Sequence, residues 1–86
     1  MSWESRADRI NRDLPVYVWS QIADDLRADI ESGELSPGQR LPAGTEIAEI
    51  YGVTKVTAAK AIHHLQEAGL LTVVNGMGTY VTANRP

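Results

Sequence analysis

At 86 residues the chain is one domain, because a core of this size buries only about 60% of the unfolded surface and divides no further. Cysteine is absent, which excludes disulfides and thiolate metal sites, and no apolar run approaches the length needed to cross a bilayer. The formal charge of -3 runs against nucleic acid, since phosphate neutralisation by Lys and Arg supplies most sequence-independent affinity.

The distribution of charge matters more than its sum. Residues 1–35 carry Arg6, Arg9, Arg12 and Arg27 against eight acids, whereas the remainder carries Arg40, Lys55, Lys60 and Arg85 against Glu46, Glu49 and Glu67. The second part is therefore faintly basic. The opening Met-Ser-Trp-Glu has no charged-then-apolar export signal, so the expected location is the cytoplasm. No second, ligand-sensing domain is expected within this length.

Residues 1–13 form an expected N-terminal arm or short helix. Trp3, Ala7, Ile10 and Leu14 share one face if the segment is helical. The readings open at this point are a loose arm, a dimerising helix, and an arm whose Arg6, Arg9 and Arg12 touch phosphates. Residues 14–83 form the expected folded domain, and 84–86 a tail.

Pro15 can start the first helix, and the stripe Ile22, Ala23, Leu26 and Ile30 continues it to a cap at Gly33. Pro37-Gly38 suits the centre of a type II turn, and Gln39, Arg40 and Leu41 are kept out of helix by Pro42. A second helix is predicted over 44–51, with Gly44 as N-cap, Glu46 in the first turn and Ile47, Ala48 and Tyr51 inward. Gly52 permits the positive φ that ends it, and Thr54 caps a third helix whose Ala58, Ala61, Ile62 and Leu65 face inward until Gly69 closes it. Two β-branched runs, 70–74 and 79–82, flank Asn75-Gly76-Met77-Gly78, a link that tolerates the left-handed backbone of a tight hairpin. The predicted fold is α+β, mainly α: three helices and a C-terminal β-hairpin wing, a winged helix-turn-helix.

Ala48 and Gly52 are small where one helix must let the next approach steeply, and Ile47, Val53, Ala58 and Ala61 supply the apolar contacts of such a pair. The step of about 100° per residue then turns Val56, Lys60, His63 and Glu67 outward, with Thr57 and His64 on one flank and Ala59 on the other. The N-terminal end of such a helix is what reaches base edges in a major groove about 12 Å wide, so Thr54, Lys55, Val56, Thr57 and Lys60 are the candidate contacts. Threonine hydroxyls bond phosphates or bases, Val56 can pack on a thymine methyl, and the lysines supply charge. The competing reading is a solvated face whose threonines are caps.

His63 and His64 point about 100° apart and do not share a metal readily. Glu46, Glu49 and Glu67 form no acid-base or nucleophilic set with a histidine or serine, and no glycine loop cradles a phosphate. Neither an enzyme nor a cofactor is expected.

Pro15-Val16-Tyr17, Gln21 to Arg27, Ile30 to Leu35, Pro37-Gly38, Leu41-Pro42, Glu46-Ile47-Ala48, Gly52 to Lys55, Thr57, Ala61, Leu65, Glu67 to Leu70 and Gly76 to Val81 occur here in a fixed order. Over about residues 14 to 82 the chain resembles the DNA-binding domain of the GntR family of bacterial transcription regulators. The resemblance implies a winged helix-turn-helix bound to a double-stranded operator as a dimer, with the third helix in the major groove and the wing at the minor groove. It adds Arg40, Thr45, Asn75, Gly76, Met77 and Gly78 to the candidate contacts. Ala43 and Gly44 stand where the family commonly has serine then glutamate, and Thr45, Ala59, Val73 and Met77 where many members carry arginine. Lys55 keeps a charge where arginine is usual, without the flat fork suited to guanine. The expected function is a sequence-specific regulator without an effector domain, acting as a homodimer or as a monomer beside a partner. The alternative is a protein-interaction module that uses an acidic first-helix face of Asp24, Asp25, Asp29 and Glu31.

Overall fold

In the computed structural model, which describes residues 3–83, a 3-10 turn at Ala7–Arg9 precedes three helices, α1 (Val18–Ser32), α2 (Gly44–Tyr51) and α3 (Lys55–Glu67). Strands β1 (Leu71–Val74) and β2 (Gly78–Val81) follow as an antiparallel hairpin. The core joins Ile22, Leu26 and Ile30 of α1, Ile47 and Tyr51 of α2, and Ala58, Ala61 and Leu65 of α3 to Leu71 and Val81. The inward set expected for the third helix is the buried set observed. The expected tail, residues 84–86, and the first two residues lie outside the described residues.

Helix α1 begins later than Pro15. Tyr17 is the extended N-cap residue, and its carbonyl accepts from the amides of Ser20 and Gln21. The Gln21 side chain explains the delay: its amide bonds both backbone groups of Asn11 and the carbonyl of Val16, which holds the preceding chain off the helix axis. The N-cap of α2 is likewise Ala43, one residue before the predicted Gly44. Alanine has no side-chain acceptor, so only the return half of a capping box remains, with Glu46 accepting from the Ala43 amide at 3.4 Å.

Gly52 makes the turn between α2 and α3. Its φ of +66° suits glycine, and a Cβ there would stand 3.2 Å from the Cβ of Ala7. The residue is therefore small for two reasons, the backbone it adopts and the arm that crosses it.

The wing has a third, short member. Leu41 donates to Thr79, Val81 donates to Gln39, and a bridge pairs Arg40 with Tyr80, so the 39–41 segment lies along the edge of β2. The turn before it has Gln39 donating to Ser36 with Gly38 at φ +83°, as a type II turn requires. At the hairpin tip Val74 pairs with Gly78, so the loop is residues 75–77, and Gly78 belongs to the strand. Within the Asn75-Gly76 pair only Gly76 takes a positive φ, because a three-residue loop closed by Met77 donating to Val74 needs one such residue where a two-residue type I′ turn needs two.

The arm packs on the domain instead of extending from it. Arg6 is 4% exposed; its amide donates to the Ile50 carbonyl and its Nη1 donates to Asp25 Oδ2 and Tyr51 Oη, both at 3.0 Å. Asp29 Oδ2 stands 2.7 Å from the same nitrogen, a Coulombic contact, since two N–H groups cannot serve three acceptors in line. Tyr51 Oη donates to Asp25 Oδ2 at 2.6 Å. Burial pushes the Tyr51 phenol well above its ordinary range, and the carboxylate it bonds pushes it further. Burial alone would favour a neutral Arg6, but its contacts with Tyr51 and Asp29 more than offset this and hold it charged.

Three readings of the arm and the first helix are narrowed by this arrangement. Arg6 is not offered to phosphates, Arg9 is paired with Asp25, and Arg12 donates to the Gly52 carbonyl. The acidic first-helix face is half consumed, because Asp25 and Asp29 face the arm's arginines; Asp24 and Glu31 remain exposed. The one-sided apolar helix is also not formed: Trp3 and Ile10 pack on the core, while Leu14 is largely exposed beyond the 3-10 turn.

Candidate nucleic-acid interface

Helix α3 presents its leading end to solvent. Thr54, Lys55 and Val56 are exposed, and Thr57 is half-buried. The Thr54 hydroxyl accepts from the Thr57 amide at 3.3 Å and lies 3.1 Å from the Thr57 hydroxyl. Thr54 thus performs the capping role that competed with base contact and Thr57 is bonded to that cap, although each oxygen keeps acceptor capacity. Lys55 follows the cap, and α3 has no acid in its first turn. A lysine at the positive end of a helix macrodipole gains nothing for the helix, and both features favour an anion outside it.

One turn further, Lys60 is exposed on the same side as Val56. Val56, Ala59, Lys60 and His63 line an open groove whose opposite wall is Trp19 of α1. The Trp19 ring lies 5.2 Å from that of His64 and stacks on Tyr17 at 6.2 Å. Trp19 was absent from the sequence-predicted site. The signal existed, since Trp19 extends the stripe of Ile22, Ala23 and Leu26 by one turn, but the partner helix that turns this residue into a wall is not visible in local spacing. His63 Nε2 is 3.2 Å from Glu67 Oε1 at the trailing end, a surface pair of small energetic weight.

The remaining candidates form a separate group at the wing. Arg40, Gly44 and residues from Val73 to Thr79 line a second groove. The Arg40 guanidinium crosses Gly78 so closely that a Cβ there would stand 2.8 Å from Arg40 Nε. Asn75, Gly76 and Met77 are exposed at the tip, as is Thr45 in the first turn of α2. The structure thus gathers Arg40 with Asn75, Gly76, Met77 and Gly78, and separately Thr54, Lys55, Val56, Thr57 and Lys60 on α3. The grooves beside the two groups have no lining residue in common. No cluster of three or more metal-ligating side chains occurs among the described residues, and no helix there is long and apolar enough to cross a membrane.

Two helices joined by the short turn at Gly52, the second with an exposed leading end, followed by an antiparallel hairpin, define a winged helix-turn-helix of the DNA-binding class. The family described as bacterial regulatory proteins, gntR family, matches residues 19–81, and the chain belongs to it. It is 37% identical over 73 residues to the HTH-type transcriptional repressor NagR of Bacillus subtilis (strain 168), a match covering 85% of this chain and 30% of that protein. YtrA from Sulfolobus acidocaldarius, a GntR-family transcription factor, superposes with a TM-score of 0.83 at 30% identity, covering 92% of this chain and 83% of that one. The DNA-binding domain of AraR in complex with operator ORX1 superposes with a TM-score of 0.75 at 29% identity, covering 85% of this chain and 94% of that one. The chain spans less than a third of the length of relatives such as NagR.

Proposed function

We propose that the chain binds an operator in double-stranded DNA as the sequence-reading part of a transcription regulator. In this reading Thr54, Lys55, Val56, Thr57 and Lys60 of α3 enter the major groove, Thr45 meets a flanking phosphate, and Arg40 with Asn75, Gly76, Met77 and Gly78 meets the adjoining minor groove. The observation that carries the reading is the leading end of α3, which is exposed among the described residues with a lysine behind its cap. The operator complex of the similar AraR domain supports it. Occupying an operator blocks or alters transcription at that site, and the chemistry needs no cofactor.

The scarcity of cations predicts modest affinity for one copy, because each phosphate contact contributes about 0.9 to the slope of log affinity against log salt. Two copies on a two-fold site would compensate. Selection of duplexes from a random pool tests the proposal: enrichment of a defined motif is expected, and half-sites about 34 Å apart would identify a symmetric pair. A pool that stays random through successive rounds would overturn it.

A further inference from the structure

Resting on the DNA-binding reading, we infer that the face of α3 is built to read thymine C5-methyl groups, so that the operator half-site presents thymine where it meets Val56 and Ala59. Val56 is 66% exposed in the first turn of α3, a large apolar side chain that helps no core. Ala59 and His63 continue its stripe at helical spacing, and Trp19 stands across from them, so the groove is walled mostly by carbon.

The position and rim of this stripe choose its occupant. It is continuous with the cap and Lys55, the end that leads into a groove in the proposed complex. Lys60 lines it, Lys55 precedes it at the start of the helix, and the one acid on its lining, Glu67, stands at the far end in the last turn. An apolar strip with both lysines at its leading end fits, at that end, a ligand that is apolar at its centre and anionic at its margins. The major groove of a thymine-containing duplex has that form, with methyl groups on its floor and phosphates along both edges. Val56 and Ala59 have no side-chain donor or acceptor, so these two side chains cannot read guanine or adenine by hydrogen bonds.

Deoxyuridine in place of thymidine removes the methyl and leaves the base pair's hydrogen bonding intact. The test takes the best duplex from the random-pool selection, replaces thymines of one half-site singly by deoxyuridine, and measures binding of the 86-residue chain by fluorescence anisotropy. At one or more positions the affinity should fall about three- to fivefold, the worth of one buried methyl. At the position read by Val56 the penalty should vanish in Val56→Ser. Ala59→Arg, at an exposed site that leaves the core untouched, should move the preferred base at its position toward guanine on reselection. Unchanged affinity with deoxyuridine at every position overturns the inference while leaving DNA binding standing. Failure to select any duplex overturns both.

Discussion

Arg6→Met should lower the free energy of unfolding by about 3 kcal/mol, because it strips two partly buried carboxylates of their shared cation. For a domain of this size that corresponds to a fall in Tm of roughly 15 °C. The estimate sits at the low end for a broken buried pair because Asp25 and Asp29 keep side-chain exposures of 23% and 15%, so water screens part of the uncompensated charge. Methionine matches much of the stem's volume, and the loss therefore reports charge and hydrogen bonding more than packing. Reversible urea unfolding followed by circular dichroism measures it. Adding Asp29→Asn to Arg6→Met should recover a substantial part of the loss, since Asp29 is the carboxylate left without a cation while Asp25 keeps Arg9 and the Tyr51 hydroxyl. A loss below 1 kcal/mol would mean that the arm is not held by this cluster.

Lys55→Ala with Lys60→Ala should reduce the salt slope of DNA binding by about 1.8, equivalent to on the order of 100-fold in affinity at 0.05 M salt. Both lysines are exposed, so Tm should change little. Lys55 occupies the positive end of α3, and its removal relieves an unfavourable interaction with the helix dipole. Binding isotherms at several salt concentrations separate the two quantities. An unchanged slope would mean that phosphates are met by other cations, of which Arg40 and Arg27 are the exposed or part-exposed candidates outside the arm among the described residues.

The three helices and the hairpin were legible because each is set by short-range periodicity. Ala58, Ala61, Ile62 and Leu65 recur at helical spacing, and Ser36-Pro37-Gly38-Gln39 admits few backbone paths. The boundaries that moved did so through single side chains: Gln21 delays the start of α1, and Glu46 reaches Ala43 instead of leaving Gly44 as the cap. The arm was not legible, because the Arg6 cluster joins residues 19 and 45 positions apart and nothing periodic announces it. The same holds for the groove. Val56 and Lys60 follow from the helix alone, whereas Trp19 opposite them depends on how α1 crosses α3, which is a property of the packed core.

The account turns on where duplex DNA touches the domain. Titrating the 15N-labelled chain with its selected duplex, and following backbone amide shifts, measures this directly. The predicted result is a set of perturbations concentrated on residues 54–60 and 75–78. Perturbations confined to the exposed acids of α1, with residues 54–60 unmoved at saturation, would contradict it.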